Sequence, residues 1–151
     1  FMSESDVEAI MRHPFVGFAS DAGINVFGSG VPHPRGYGNA VRILGHYVRE
    51  RKVISLEEAV RKLASVPARH FGFAERGEIR EGWVADLVVF DPATVGDTAT
   101  FDAPHAYPTG ISHVLVHGRF VVRSGAVTGE RGGQVIRPAR PGRLDNNPRN
   151  N

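Results

Sequence analysis

Apolar positions in the first half of the chain recur mostly at helical spacing, interrupted by one short continuous apolar run. Val7, Ile10 and Met11 form the first stripe. Ser3 or Ser5 stands before it as a cap, and Glu4, Asp6 and Glu8 occupy the opening turns, where the helix dipole favours acids. His13-Pro14 predicts the stop. Phe15 to Ala19 (FVGFA) is nearly all apolar, the pattern of a strand buried on both faces in a parallel sheet. Residues 20–38 break this pattern with Gly23, Gly28, Gly30, Gly36, Gly38 and two prolines, and predict a long loop. Val41, Leu44, Tyr47 and Val48 then predict a helix from Asn39 to about Arg51. Ser55-Leu56-Glu57-Glu58 reads as a capping box opening a helix to about Val66, with Leu56, Ala59, Val60 and Leu63 inward and Pro67 as its end.

The periodicity changes after about residue 74. Glu75 to Gly82 is rich in turn residues, Ala85 to Phe90 (ADLVVF) predicts a strand, and Asp91-Pro92 ends it. Residues 93–110 read as an irregular loop, with Ile111 to Val116 and Phe120 to Val122 as a hairpin around His117-Gly118-Arg119. The chain thus divides into a helix–strand–loop–helix–helix segment (1–74), a β segment (75–137) and a tail (138–151). No repeat is present.

Composition narrows the partners. Eighteen basic residues against sixteen acidic ones leave a formal net charge of +2, so the pI of 9.4 overstates the basic character. The C-terminal end carries Arg137, Arg140, Arg143 and Arg149 against Asp145, yet it has prolines and asparagines and no aromatic residue for base stacking, so nucleic-acid binding is not expected. We expect a solvated, flexible tail. Cysteine is absent, which excludes disulfides, thiolate metal sites and a cysteine nucleophile, and fits a reducing, cytoplasmic setting. No apolar run approaches the ~20 residues of a membrane span, and no signal-peptide pattern opens the chain. Phe1 before Met2 reads as a cut point.

Two places carry candidate chemistry. Asp21 follows the apolar run where it meets the glycine-bearing loop. At the C-terminal end of a barrel strand, such a carboxylate can ligate a metal or move a proton. It can equally cap a turn. His33-Pro34-Arg35-Gly36-Tyr37-Gly38 holds an arginine braced by proline, suited to gripping a carboxylate or to holding the loop down. His33 is a lone loop histidine. His13, His46, His70, His105, His113 and His117 show no metal-ligand spacing such as HxH or HExxH.

Taken together, HPFVGFASDAG, VPHPRGYGNAVRILGHYVRE, the RGxIxxGxxADLVVFD pattern from Arg76 to Asp91 and the ATFDxP stretch from Ala99 to Pro104 resemble the end of N-acyl-D-amino-acid deacylases (D-aminoacylases) of the amidohydrolase superfamily. The resemblance covers residues ~7 to 137. It implies an α/β fold: the last strand and closing helices of a (β/α)8 TIM-like barrel, plus the C-terminal part of a small β-sandwich. It implies zinc as cofactor, with ligands mainly on earlier barrel strands absent from this chain. Asp21 matches the catalytic aspartate, which takes a proton from the attacking water and passes it to the departing amine, and is a possible metal ligand. Arg35 matches the arginine that binds the substrate carboxylate, with Tyr37 and His33 beside it. The implied activity is hydrolysis of N-acyl-D-amino acids, small-molecule substrates, to a carboxylate and a D-amino acid. The implied partner is the N-terminal portion of the same enzyme, present as a separate chain or absent; no nucleic acid or membrane is implied. The loop AGINVFGSGV departs from the family pattern and leaves the substrate preference open. Another linear or cyclic amide, a dipeptide, or a non-catalytic assembly role are the alternatives.

Overall fold

A computed structural model describes residues 2–137. Helices α1 (Glu4–Arg12), α2 (Arg35–Arg42), α3 (Leu56–Leu63) and α4 (Ser65–His70) precede strands β1 (Leu87–Phe90), β2 (Ile111–Val116), β3 (Arg119–Arg123) and β4 (Ala126–Val127). Between α2 and α3 the chain widens into a π-helical segment, Ile43–Glu50. The strands form one antiparallel sheet in sequence order. The architecture is α/β with a small antiparallel sheet. The expected tail at 138–151 lies outside the described residues. No helix among the described residues is long and apolar enough to cross a membrane.

The first helix forms where its pattern predicts it. Ser3 and Asp6 complete a reciprocal capping box: the Asp6 N–H donates to Ser3 Oγ at 3.2 Å and the Ser3 N–H to Asp6 Oδ2 at 3.3 Å. The strand expected at Phe15 to Ala19 does not form. Phe15 is 87% exposed. A strand needs neighbours to accept and donate along both edges, and no parallel strand flanks this segment among the described residues. Its Phe18 N–H instead donates to the carbonyl of Lys62, at 3.3 Å.

α3 holds the segment down. Lys62 has no exposed surface, and its Nζ donates to the carbonyls of Met11 and His13, both at 2.5 Å. Met11 lies in the last turn of α1, where carbonyls lack helical partners, so a lysine there satisfies acceptors that would otherwise be buried alone. Arg61 adds a hydrogen bond to the Pro14 carbonyl at 3.1 Å. Lys62 sits over the Phe18 ring at 5.7 Å.

Three helix boundaries differ from expectation. α2 begins at Arg35, not Asn39, because Pro34 presets a helical φ of −51° and His33 Nδ1 accepts the Arg35 N–H at 3.1 Å. The helix opened by Ser55 breaks at Ala64 (φ −121°, ψ −73°). Pro67 therefore does not end that helix but falls in the first half of the short α4. The capping box at Ser55 is only half made: Ser55 Oγ accepts the Glu58 N–H at 3.2 Å, but the Glu58 carboxylate turns to Arg61 at 2.6 Å. Val60, expected inward, is 42% exposed.

The β segment joins the helices through the turn after β1. Val95 is fully buried in a cluster with Met11, Val41, Ile43, Leu44, Val53 and Ala59. Gly45 makes the approach possible, since a Cβ there would stand 2.7 Å from the Val95 carbonyl oxygen. Arg49 Nη1 donates to that same oxygen, and Arg42 pairs with Asp97 at 3.1 Å. Two tight turns link the strands: His117-Gly118 (φ 55° and 76°) and Ser124-Gly125 (φ 50° and 78°). Left-handed pairs of this kind match the twist of adjacent strands, so the first loop is two residues long and Arg119 belongs to β3.

Two outcomes follow for stability. Lys62→Met should cost about 2–4 kcal/mol by stranding buried carbonyls, read from urea unfolding; an unchanged midpoint rejects the role. The carboxyls of Glu8, Glu50 and Glu58 are held below their ordinary value of 4.5 mainly by Arg51, His46 and Arg61 respectively. A lowered folded-state value gives stability that is complete above the unfolded value and lost as pH falls through the folded one. Unfolding midpoints should therefore drop as pH falls below 4.5, and Arg51→Ala should lessen that drop.

Candidate functional site

The loop from Ser20 to Pro34 returns on itself and delivers its charged residue to the start of α2. Arg35 Nη2 donates to Asp21 Oδ2 at 2.7 Å. The two residues singled out from the sequence, fourteen positions apart, thus meet. Asp21 is 94% exposed and Arg35 40% exposed at the side chain, so the pair is a surface ion pair of small intrinsic strength. Neither group is buried beneath other elements, and both open to solvent on one face.

His33 and Tyr37 flank the pair in different ways. His33 Nδ1 accepts from the Arg35 N–H at 3.1 Å, so in the neutral ring Nε2 carries the hydrogen and is a free donor. Its ring meets Phe101 edge-on with centroids 5.0 Å apart. Tyr37 lies on the first turn of α2, its hydroxyl 3.0 Å from His105 Nδ1. Asn39 anchors the loop's entry by donating to the Ala19 carbonyl at 3.3 Å.

Sequence reasoning missed the second wall of the site. His105 and Tyr107 come from the irregular 93–110 loop. Phe27, at the loop apex, stacks on Tyr107 with centroids 4.8 Å apart and 17° between planes. It meets Tyr37 and His105 edge-on, at 6.0 and 5.6 Å. His105 had been set aside for want of metal-ligand spacing. The aromatic spacing Phe27, Tyr37, Tyr107 was the available signal, but nothing local reveals that two loops this far apart in sequence touch.

The fit to a metal is partial at most. Among the described residues no group of three or more His, Asp or Glu is placed to hold an ion. Asp21 is the one predicted ligand here, and its nearest charged partner is a guanidinium. An apolar cleft lies elsewhere among the described residues: about 770 Å³ between the helices and the sheet, lined by Val41, Leu44, Leu63, Leu87, Ile111 and Val122. It contains neither Asp21 nor Arg35.

This sheet, these helices and the Asp21–Arg35 loop define a recognisable class. Residues 3–122 match the model of the amidohydrolase family, and the chain belongs to that family. Among its relatives is the N-acyl-D-aspartate deacylase of Alcaligenes xylosoxydans xylosoxydans, 43% identical over 137 residues, covering 91% of this chain and 27% of the relative. A solved D-aminoacylase structure superposes with a TM-score of 0.83 at 42% identity, over 90% of this chain and 28% of that one. An N-acyl-D-glutamate deacylase from Bordetella bronchiseptica, solved with zinc and a phosphonate inhibitor, gives a TM-score of 0.80 at 45% identity over the same shares. The chain thus spans about a quarter of the length of the relatives it matches.

The packing of α2 yields a further expectation. A Cβ on Gly38 would stand 2.6 Å from Asp97 Cβ, closer than side chains tolerate. Gly38→Ala should force α2 off the 93–110 loop and cost about 1–3 kcal/mol in thermal unfolding. An unchanged melting temperature would show that Asp97 gives way freely.

Proposed function

We propose that this chain is the C-terminal part of a zinc-dependent enzyme hydrolysing N-acyl-D-amino acids to a carboxylate and a D-amino acid. The observation that carries the reading is the Asp21–Arg35 pair at 2.7 Å, which sets an acid–base group beside a carboxylate receptor. The relatives, deacylases of N-acyl-D-amino acids that are 43% and 45% identical across this segment, support the same substrate class. On this reading residues 1–74 complete a (β/α)8 barrel, with 15–19 pairing as its last strand once neighbouring strands flank it. Residues 75–137 are a share of a β-sandwich. The remaining portion of the enzyme supplies the other zinc ligands, since the described residues do not form a metal site alone. Its setting is the cytoplasm.

The roles of this chain's residues follow from their chemistry. Arg35 offers a planar pair of donors to the α-carboxylate of the substrate. His33 Nε2–H stands ready as a second donor to the same anion, because its Nδ1 is committed to the backbone. Tyr37 shapes the wall beside them. Asp21, released from Arg35 when the substrate carboxylate takes its place, accepts a proton from the attacking water. It then hands that proton to the amine nitrogen as the C–N bond breaks. The exposure of the ion pair favours this exchange, because an exposed pair costs little to separate.

The test is amino-acid release from N-acetyl-D- and N-acetyl-L-amino acids by the zinc-loaded enzyme. Asp21→Asn should lower kcat by about 10²–10⁴-fold with zinc content unchanged. Arg35→Ala should raise KM by about tenfold or more with a smaller change in kcat. An active Asn variant would end the proton-transfer role; an unchanged KM would move the carboxylate site elsewhere.

A further inference from the structure

His105 makes more contacts with the site loop than any sequence feature foretells. Its Nε2 lies 3.0 Å from the Gly30 carbonyl oxygen, and its Nδ1 3.1 Å from the Gly28 nitrogen. A carbonyl only accepts and a backbone N–H only donates, so the ring is neutral with its hydrogen on Nε2. The Tyr37 hydroxyl, 3.0 Å from Nδ1, must then donate as well and share that lone pair. One half-buried imidazole therefore ties the loop apex to the first turn of α2. Gly28 and Gly30 both hold left-handed φ, 79° and 68°, and bring two backbone groups to one ring. Phe27, packed between Tyr107 and Tyr37, closes the same joint.

We infer that His105 is a positioning residue for Arg35. It acts through Gly28, Gly30 and Tyr37, and sets where the loop ends and where the first turn of α2 points. Arg35 sits two residues before Tyr37 on that turn, and Asp21 reaches it from the other end of the loop. Freed of His105, the loop keeps its sequence but loses the only side chain among the described residues that bonds its apex to the β segment. Substrate-carboxylate binding should suffer before the chemical step. This inference rests on the deacylase reading for its kinetic consequence, but not for its structural one.

Two measurements on the zinc-loaded enzyme decide it. Hydrogen exchange should speed up about tenfold at Gly28, whose N–H loses its acceptor in His105→Ala, while Gly125, bonded to the Ser112 carbonyl in the hairpin, keeps its rate. His105→Asn retains an acceptor near the Nδ1 position and should restore part of the Gly28 protection. In kinetics, His105→Ala should raise KM for N-acyl-D-amino acids about tenfold with kcat within about twofold, and His105→Asn should recover part of that loss. Unchanged Gly28 exchange overturns the inference, as does a fall in kcat at constant KM, the mark of a merely smaller folded fraction. A wild-type enzyme inactive on all N-acyl-D-amino acids would overturn the deacylase reading instead, and Gly28 exchange would then decide the His105 joint alone.

Discussion

A single amine, Lys62 Nζ, joins the end of α1, the segment that follows it and α3. It bonds the carbonyls of Met11 and His13, stands 3.7 Å from Glu58 and lies over Phe18. A lysine with no exposed surface is costly unless its donors are used, and here the used donors are also what α1 needs at its end. The segment from Pro14 to Ala19 inherits its course from this contact. Asp21 follows two residues later, so α3, together with Asn39 of α2 on the Ala19 carbonyl, sets where the site loop starts.

The other end of the loop is set by different means. Pro34 and His33 start α2 early, which turns Arg35 from a loop residue into a helical one. A guanidinium on a helix turn has fewer places to go than one on a loop, which suits a group proposed to orient a carboxylate. Between the two fixed ends lies an apex of glycines with Ile24, Val26 and Val31 largely exposed.

Much of this was legible from residue pattern, and the failures share a cause. α1, strands β1 to β3 and the turn glycines follow local rules that a short window contains, whereas the two-residue β4 was not expected. The resemblance gave Asp21 and Arg35 separate roles, and their ion pair was not read from the sequence. The strand at 15–19 failed because a strand is a property of its neighbours, and FVGFA carries none with it. Lys62 went unremarked, since nothing near it in sequence announces the carbonyls of residues 11 and 13. Pro67 misled because a proline can begin a helix as readily as end one. His105 escaped notice for a related reason: its partners at 28, 30 and 37 are distant, and its chemistry is to hold backbone groups, which leaves no spacing rule behind.

The sheet and the site differ in how far along the chain their contacts reach. The two-residue turns at His117-Gly118 and Ser124-Gly125 join strands whose partners lie close in sequence. The His105 joint spans a separation of 77 residues to Gly28. Closing a long loop costs entropy before any contact repays it, and local pairings form sooner. In the order of folding, the β2–β3–β4 meander can nucleate by itself, whereas the Asp21–Arg35 loop takes its shape only after both halves of the chain have docked. The loop carrying Asp21 and Arg35 thus rests on contacts of long sequence separation, and its shape depends on the docking of the two halves.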